Sequence, residues 1–199
     1  MKDIEILISK KNLEDLVSNY TVEDLVKSLS FKKALILSKK LLENDEWDPN
    51  LQEYAIHLIE KIRKSHPEEW NNDWRHEAYL GYAYGALGCD IEKEFNAYSI
   101  AAKRAISPPM EISMHMALLW SYPGIYKTKM DEEKAIKILE QVANKIPYME
   151  AVGGLVRLYE ETKQSDKAAY WKEILKESEK KDLCDQYSYL DFFKDYQVL

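Results

Sequence analysis

Apolar residues recur every three or four positions along most of the chain, the spacing of helices with one buried face. Leu51, Tyr54, Ala55, Leu58, Ile59 and Ile62 make one such face; Ala135, Ile138, Leu139, Val142, Ala143 and Ile146 make another. No segment alternates convincingly at period two. Start signals sit where these faces begin. Thr21 precedes "VEDLVKSL" with Asp24 at the capping-box position, and Ser30 precedes "FKKALILSKKLLE". Asp48-Pro49 places a cap before a proline at the first helical position. His66-Pro67 breaks that helix. The pattern then predicts a long helix from Asn72 to Leu87, closed by Gly88. Asp90 caps the next, running from Ile91 to Ile106. Pro108-Pro109 starts another, which ends before Pro123-Gly124. Asp131 caps "EEKAIKILEQVANKI", Pro147 opens "YMEAVGGLVRLYEET", and Ser165 caps "DKAAYWKEILKESEKK". An aromatic helix, "CDQYSYLDFFKDY", ends the chain.

These elements predict an all-α fold of antiparallel hairpins stacked side by side. The expected organisation is one domain over 1–199, with N-terminal helices in 1–66, repeat-like hairpins in 70–180 and a capping helix in 182–199. The tail residues Tyr189, Phe192, Phe193 and Tyr196 share a helical face. Such a face suits a cap on an open hairpin end, or insertion into a groove or a partner.

A local pattern repeats. Leu80-Gly81-x-x-Tyr84, Met116-Ala117-x-x-Trp120 and Leu155-Val156-x-x-Tyr159 each place an apolar residue, a mostly small one and an aromatic one turn later, at spacings of 36 and 39 residues. Each is followed by a break and an amphipathic helix. The pattern resembles the tetratricopeptide and Sel1-like helical repeats over roughly residues 70–180. "YLGYAYGALGCD" is its best match. It departs from that pattern at Val156, at Lys93 where an alanine is expected, and at the insertion "YPGIYKTKM". A glycine inside a helix costs about 0.5–1 kcal/mol relative to alanine. Gly81 is expected to let a neighbouring backbone approach while Tyr84 fills the adjacent gap. Gly85 serves the same packing or opens a groove for a ligand.

Composition narrows the class. The chain is 46% hydrophobic, with 5 Trp, 14 Tyr and 4 Phe, enough for a sizeable core. Six glycines and six prolines are few for a sandwich or barrel. The net charge is −7; residues 1–65 carry 11 basic and 12 acidic side chains, residues 66–199 carry 17 and 23. This surplus disfavours nucleic acid, whose phosphates call for Lys and Arg clusters. It would steer a basic partner, or simply keep the chain soluble. Cys89 and Cys184 have no motif spacing and suit a reducing cytosol. "MKDIEILISKKNLEDL" is a poor signal peptide, and the longest uncharged run, Ile112 to Tyr126, is too short to span a bilayer. A cytoplasmic protein is expected.

No catalytic constellation emerges. His57, His66, His76 and His115 are scattered. Asp73 with His76, and Glu111 with His115, lie one helical turn apart, but a bundle di-metal site uses paired Glu-x-x-His motifs, which the chain lacks. Neither a metal nor another cofactor is expected. "GIY" at 124–126 stands without the rest of the nuclease signature it half matches, and "WRHEAYLGYAY" has too many acids nearby for a nucleic-acid stacking platform.

Surface shape is what remains. The resemblance implies that the first helices of successive units line a concave groove. Its partner-facing positions would be Arg75, Ala78 and Tyr82, then Glu111, Met114 and Leu118, then Glu150, Gly153, Arg157 and Glu160. The expected function is protein binding without catalysis. The leading form is a bacterial immunity protein that neutralises a toxin domain with a basic face. An adaptor or regulator that binds a peptide in the groove is the alternative.

Overall fold

The computed structural model describes residues 4, 12–44, 48–88, 90–119, 130–146 and 148–180, and side chains up to 178. Cys89, Cys184, Trp120, the "GIY" triplet and the expected capping helix lie outside the described residues. Among the described residues the fold is all-α, without strands. The helices are α1 (Leu13–Asn19), α2 (Val22–Ser28), α3 (Phe31–Leu42), α4 (Pro49–Ser65), α5 (Pro67–Asn71), α6 (Arg75–Leu87), α7 (Ile91–Arg104), α8 (Met110–Leu118), α9 (Glu132–Lys145), α10 (Met149–Glu161) and α11 (Ser165–Lys180). They fall into two compact units, with the boundary inside α7 between Ala97 and Tyr98.

Local chemistry starts the helices of the first unit. Thr21 Oγ1 accepts the Asp24 amide while Asp24 takes the Thr21 amide, a complete capping box for α2. Ser30 caps α3 through the Lys33 amide, and Asp48 caps α4 through the Asn50 amide. The α4 helix is the centre of this unit: α1, α2, α3, α5 and α6 all pack on it. Its face of Leu51, Ala55, Leu58, Ile59 and Ile62 is buried, as the periodicity predicts. Tyr54 is half-buried on that face and its hydroxyl donates to the Tyr20 carbonyl. Burying a leucine or isoleucine side chain contributes about 1.5–3 kcal/mol, and here those contributions converge on one helix.

The expected helix from Asn72 to Leu87 is corrected. A short α5 comes first, with Pro67 at its start and Trp70 buried at 1% exposure; α6 begins only at Arg75. The indole has to reach the core, and Trp70 Nε1 donates to Glu77 Oε1 there at 3.0 Å. Gly88 ends α6 in the left-handed region, at φ 60°, as its place after the helix predicts.

In the second unit α8 packs on α9 and α10, α9 packs on α10, and α10 packs on α11. Asp131 caps α9 through the Lys134 amide. The α9 stripe buries Ala135, Leu139, Val142 and Ala143, with Ile138 and Ile146 half-buried. Ser165 stands inside α11 rather than before it, because the Ala168 amide already reaches back to the Gln164 carbonyl.

Candidate functional site

The expected partner-facing residues separate by helix. On α10, Glu150, Arg157 and Glu160 are exposed and share one face with half-buried Gly153, while Val152, Leu155, Val156 and Tyr159 fill the opposite side. Among the described residues no atom lies within 4 Å of where a Cβ at Gly153 would stand. Glu160 pairs with Lys172 of α11 at 2.5 Å. On α8 the reading is corrected. Met114 is 0% and Leu118 8% exposed, because α8 packs on two helices and keeps almost no outward face. Glu111 is half-buried and accepts a 2.9 Å hydrogen bond from the Tyr148 hydroxyl.

In the first unit, Arg75 is held by Asp73. Its Nη2 lies 2.6 Å from Asp73 Oδ2, and its backbone amide also binds that carboxylate. Burial opposes the Asp73 charge, but these bonds from Arg75 hold its carboxyl below the usual range. Tyr82 is half-buried with its ring centroid 6.3 Å from that of Tyr79, and Ala78 is fully buried.

The histidine pairs do not form ligand sets. His76 Nδ1 donates to the Trp70 carbonyl at 2.9 Å and its ring meets Phe31 edge-on at 5.1 Å. Burial lowers its basicity. His115 stacks on Tyr98 with centroids 5.0 Å apart, and burial pushes its pKa down to about 4. Among the described residues no group of three or more His, Cys, Asp or Glu could hold a metal ion.

A site absent from the sequence reading lies on the first unit. Pro49, Glu53, Ile56, His57, Glu60, Tyr84, Leu87, Asp90 and Lys93 enclose a cleft of about 330 Å³. Residues of α4 form one wall; the end of α6 and the start of α7 form the other. Tyr84 donates to Glu60 Oε1 at 2.6 Å, and Lys93 Nζ lies 3.3 Å from the same oxygen, 3.8 Å from Asp90 Oδ2 and 5.4 Å from the centre of the Tyr84 ring. Burial opposes the Glu60 charge, yet the Tyr84 hydroxyl and Lys93 hold its carboxyl below the usual range. The Tyr84 phenol is pushed up, by burial first and then by Glu60.

The second unit repeats two of these contacts, the tyrosine–glutamate bond and the lysine over the ring. Tyr159 donates to Glu140 Oε1 at 2.6 Å, and Lys167 Nζ lies 5.0 Å from the centre of its ring. The tyrosines were visible in the repeated pattern; the glutamates were not. They stand 24 and 19 residues upstream, a separation that only helix packing converts into contact. The one available signal was a lysine 9 or 8 positions after each tyrosine.

No protein-family model, curated protein or solved structure matches this chain.

Proposed function

We propose that this protein is a non-catalytic protein-binding module, built on the tetratricopeptide or Sel1-like plan. Its specific role in this reading is to neutralise a bacterial toxin by direct contact in the cytoplasm. The exposed stripe Glu150, Gly153, Arg157 and Glu160 on α10 carries the reading. It places two acids and an arginine around a glycine that no side chain of the described residues covers, so a partner backbone can come close. Arginine is enriched at interface cores, and the acids favour a basic partner. The acidic surplus of residues 66–199 acts in the same direction. The recurring tyrosine–glutamate bond supports the repeat plan. The cleft beside Tyr84 favours a second form of the reading, an adaptor that takes a segment of its partner there.

The test is co-expression with the products of the neighbouring genes, read as growth and as complex formation on size-exclusion chromatography. Immunity predicts that one product is toxic alone, harmless with this protein, and toxic again beside the Glu150→Lys, Glu160→Lys variant. A stable complex with a non-toxic product supports the adaptor. Toxicity that persists with the wild-type protein, with no complex formed, overturns both forms.

A further inference from the structure

Lys93 is the unusual member of the cleft. Its position is one where the resembled repeats place alanine, and its side chain remains 53% exposed. It nevertheless folds back so that its ammonium faces Glu60, Asp90 and the ring of Tyr84. A cation is thus held where two carboxylates and an aromatic face converge. The contacts at 3.3 and 3.8 Å are those of one flexible, largely solvated side chain. Ion pairs of that kind are weak and cost little to break. Behind them the cleft has apolar walls, with Ile56 6% exposed and Leu87 half-buried. Glu53 adds a further acid at the rim.

The geometry points to a docking pocket for an arginine side chain of a protein partner, with Lys93 holding the seat in the free protein. Each feature matches that occupant. A guanidinium stacks flat on an aromatic face and presents a planar fork of donors to carboxylates, where an ammonium is only a point charge. Its aliphatic stem would lie along Ile56 and Leu87. The carboxylates of Glu60 and Asp90 exchange one cation for another, so neither is left without charge compensation. Lys93, displaced, returns to water. The second unit also places a lysine over its motif tyrosine, Lys167 over Tyr159. The source of the arginine, a protein, rests on the protein-binding reading above; the pocket itself does not.

The probe is N-acetyl-arginine-N′-methylamide, titrated into the full chain while the Tyr84 ring signals are followed by NMR. The citrulline analogue, of the same shape without the charge, is the control. The wild-type protein should bind the arginine probe weakly and ignore the citrulline one. Lys93→Met vacates the seat and should tighten binding about tenfold, the order expected for one cation–aromatic contact with its paired charge. Glu60→Gln should weaken it by a similar factor while the helical circular dichroism stays unchanged. Equal or weaker binding to Lys93→Met overturns the pocket, as does equal binding of the citrulline probe. If probe binding behaves as expected but no protein complex depends on Lys93 or Glu60, the pocket stands and the protein-binding reading of it fails. If complexes form while the probe never binds, the pocket fails alone.

Discussion

Tyr84 donates a 2.6 Å hydrogen bond to Glu60, and Tyr159 makes the same bond to Glu140 in the other compact unit. Each joins the motif tyrosine of one helix to a glutamate on a preceding one. A buried phenol needs a partner for its hydroxyl, and a half-buried carboxylate at the edge of the core satisfies that need. The bond explains how a ring with 6% exposure at Tyr84, and one with 1% at Tyr159, can carry a polar tip.

Removing the two parts of Tyr84 separately should give different costs. Tyr84→Ala should destabilise by about 3–5 kcal/mol, as for other buried aromatics. Tyr84→Phe keeps the ring and loses a hydrogen bond to a charged group, so about 1–2 kcal/mol is expected. Urea unfolding of the three proteins decides. A change below about 0.5 kcal/mol for Tyr84→Ala, the level of ordinary surface substitutions, would place the ring outside the core.

Glu94 should make the protein more stable in mild acid than its carboxylate count suggests. Its carboxyl is 8% exposed and lies against Gly85, where a Cβ would stand 2.9 Å from Oε1. Burial pushes its pKa from 4.5 up to about 7. Between those values the folded chain binds more protons than the unfolded one. Its stabilising contribution is therefore full below the unfolded value and is lost as pH rises through 7. Glu94→Gln removes the charge and keeps the shape. It should stabilise at pH 8 by up to about 3 kcal/mol and change little near pH 4.5. Equal effects at both pH values would show that the carboxyl titrates normally.

His115 acts with the opposite sign. Burial lowers its pKa from 6.5 to about 4, so its ring is neutral in the fold. The unfolded chain takes up the proton first, and stability is lost as pH falls from the unfolded value through the folded one. An NMR pH titration should show the His115 ring signals unmoved at pH 5.5. A midpoint near 6.5 would mean that water reaches the ring and that its stacking on Tyr98 is not maintained.

The parts of this architecture legible in the sequence are those decided within a few residues. Thr21, Ser30, Asp48 and Asp131 cap their helices because the side chain and the amide it accepts are neighbours along the chain. The α10 face was legible for a related reason: one side of that helix is packed and the other is wet, so its periodicity is one-sided. On α8 the same reasoning fails. Ile112, Met114, Ala117 and Leu118 point in several directions and all are buried, so no face marks the solvent side. The division of the segment after His66 into α5 and α6 depends on where Trp70 must go. Glu60 and Glu140 were invisible for a stronger reason: nothing local distinguishes them from other helix-surface acids.

Two helical glycines that look alike in the sequence should separate on substitution. Gly85 faces the Glu94 carboxylate, and a methyl group there must push it aside; Gly153 faces open space. Alanine at an unobstructed helix-interior position gains about 0.5–1 kcal/mol over glycine. Gly153→Ala should therefore raise stability by that amount, and Gly85→Ala should give less or none of it. Among the described residues nothing packs against Gly153 that would require a glycine there. Close approach of a partner across the Glu150–Glu160 stripe would give it a use. The same substitution that stabilises the free protein should then weaken the complex, chiefly through a faster off-rate. Urea unfolding and surface plasmon resonance on one purified variant read both effects. A Gly153→Ala protein that is more stable and binds its partner unchanged would remove α10 from the interface.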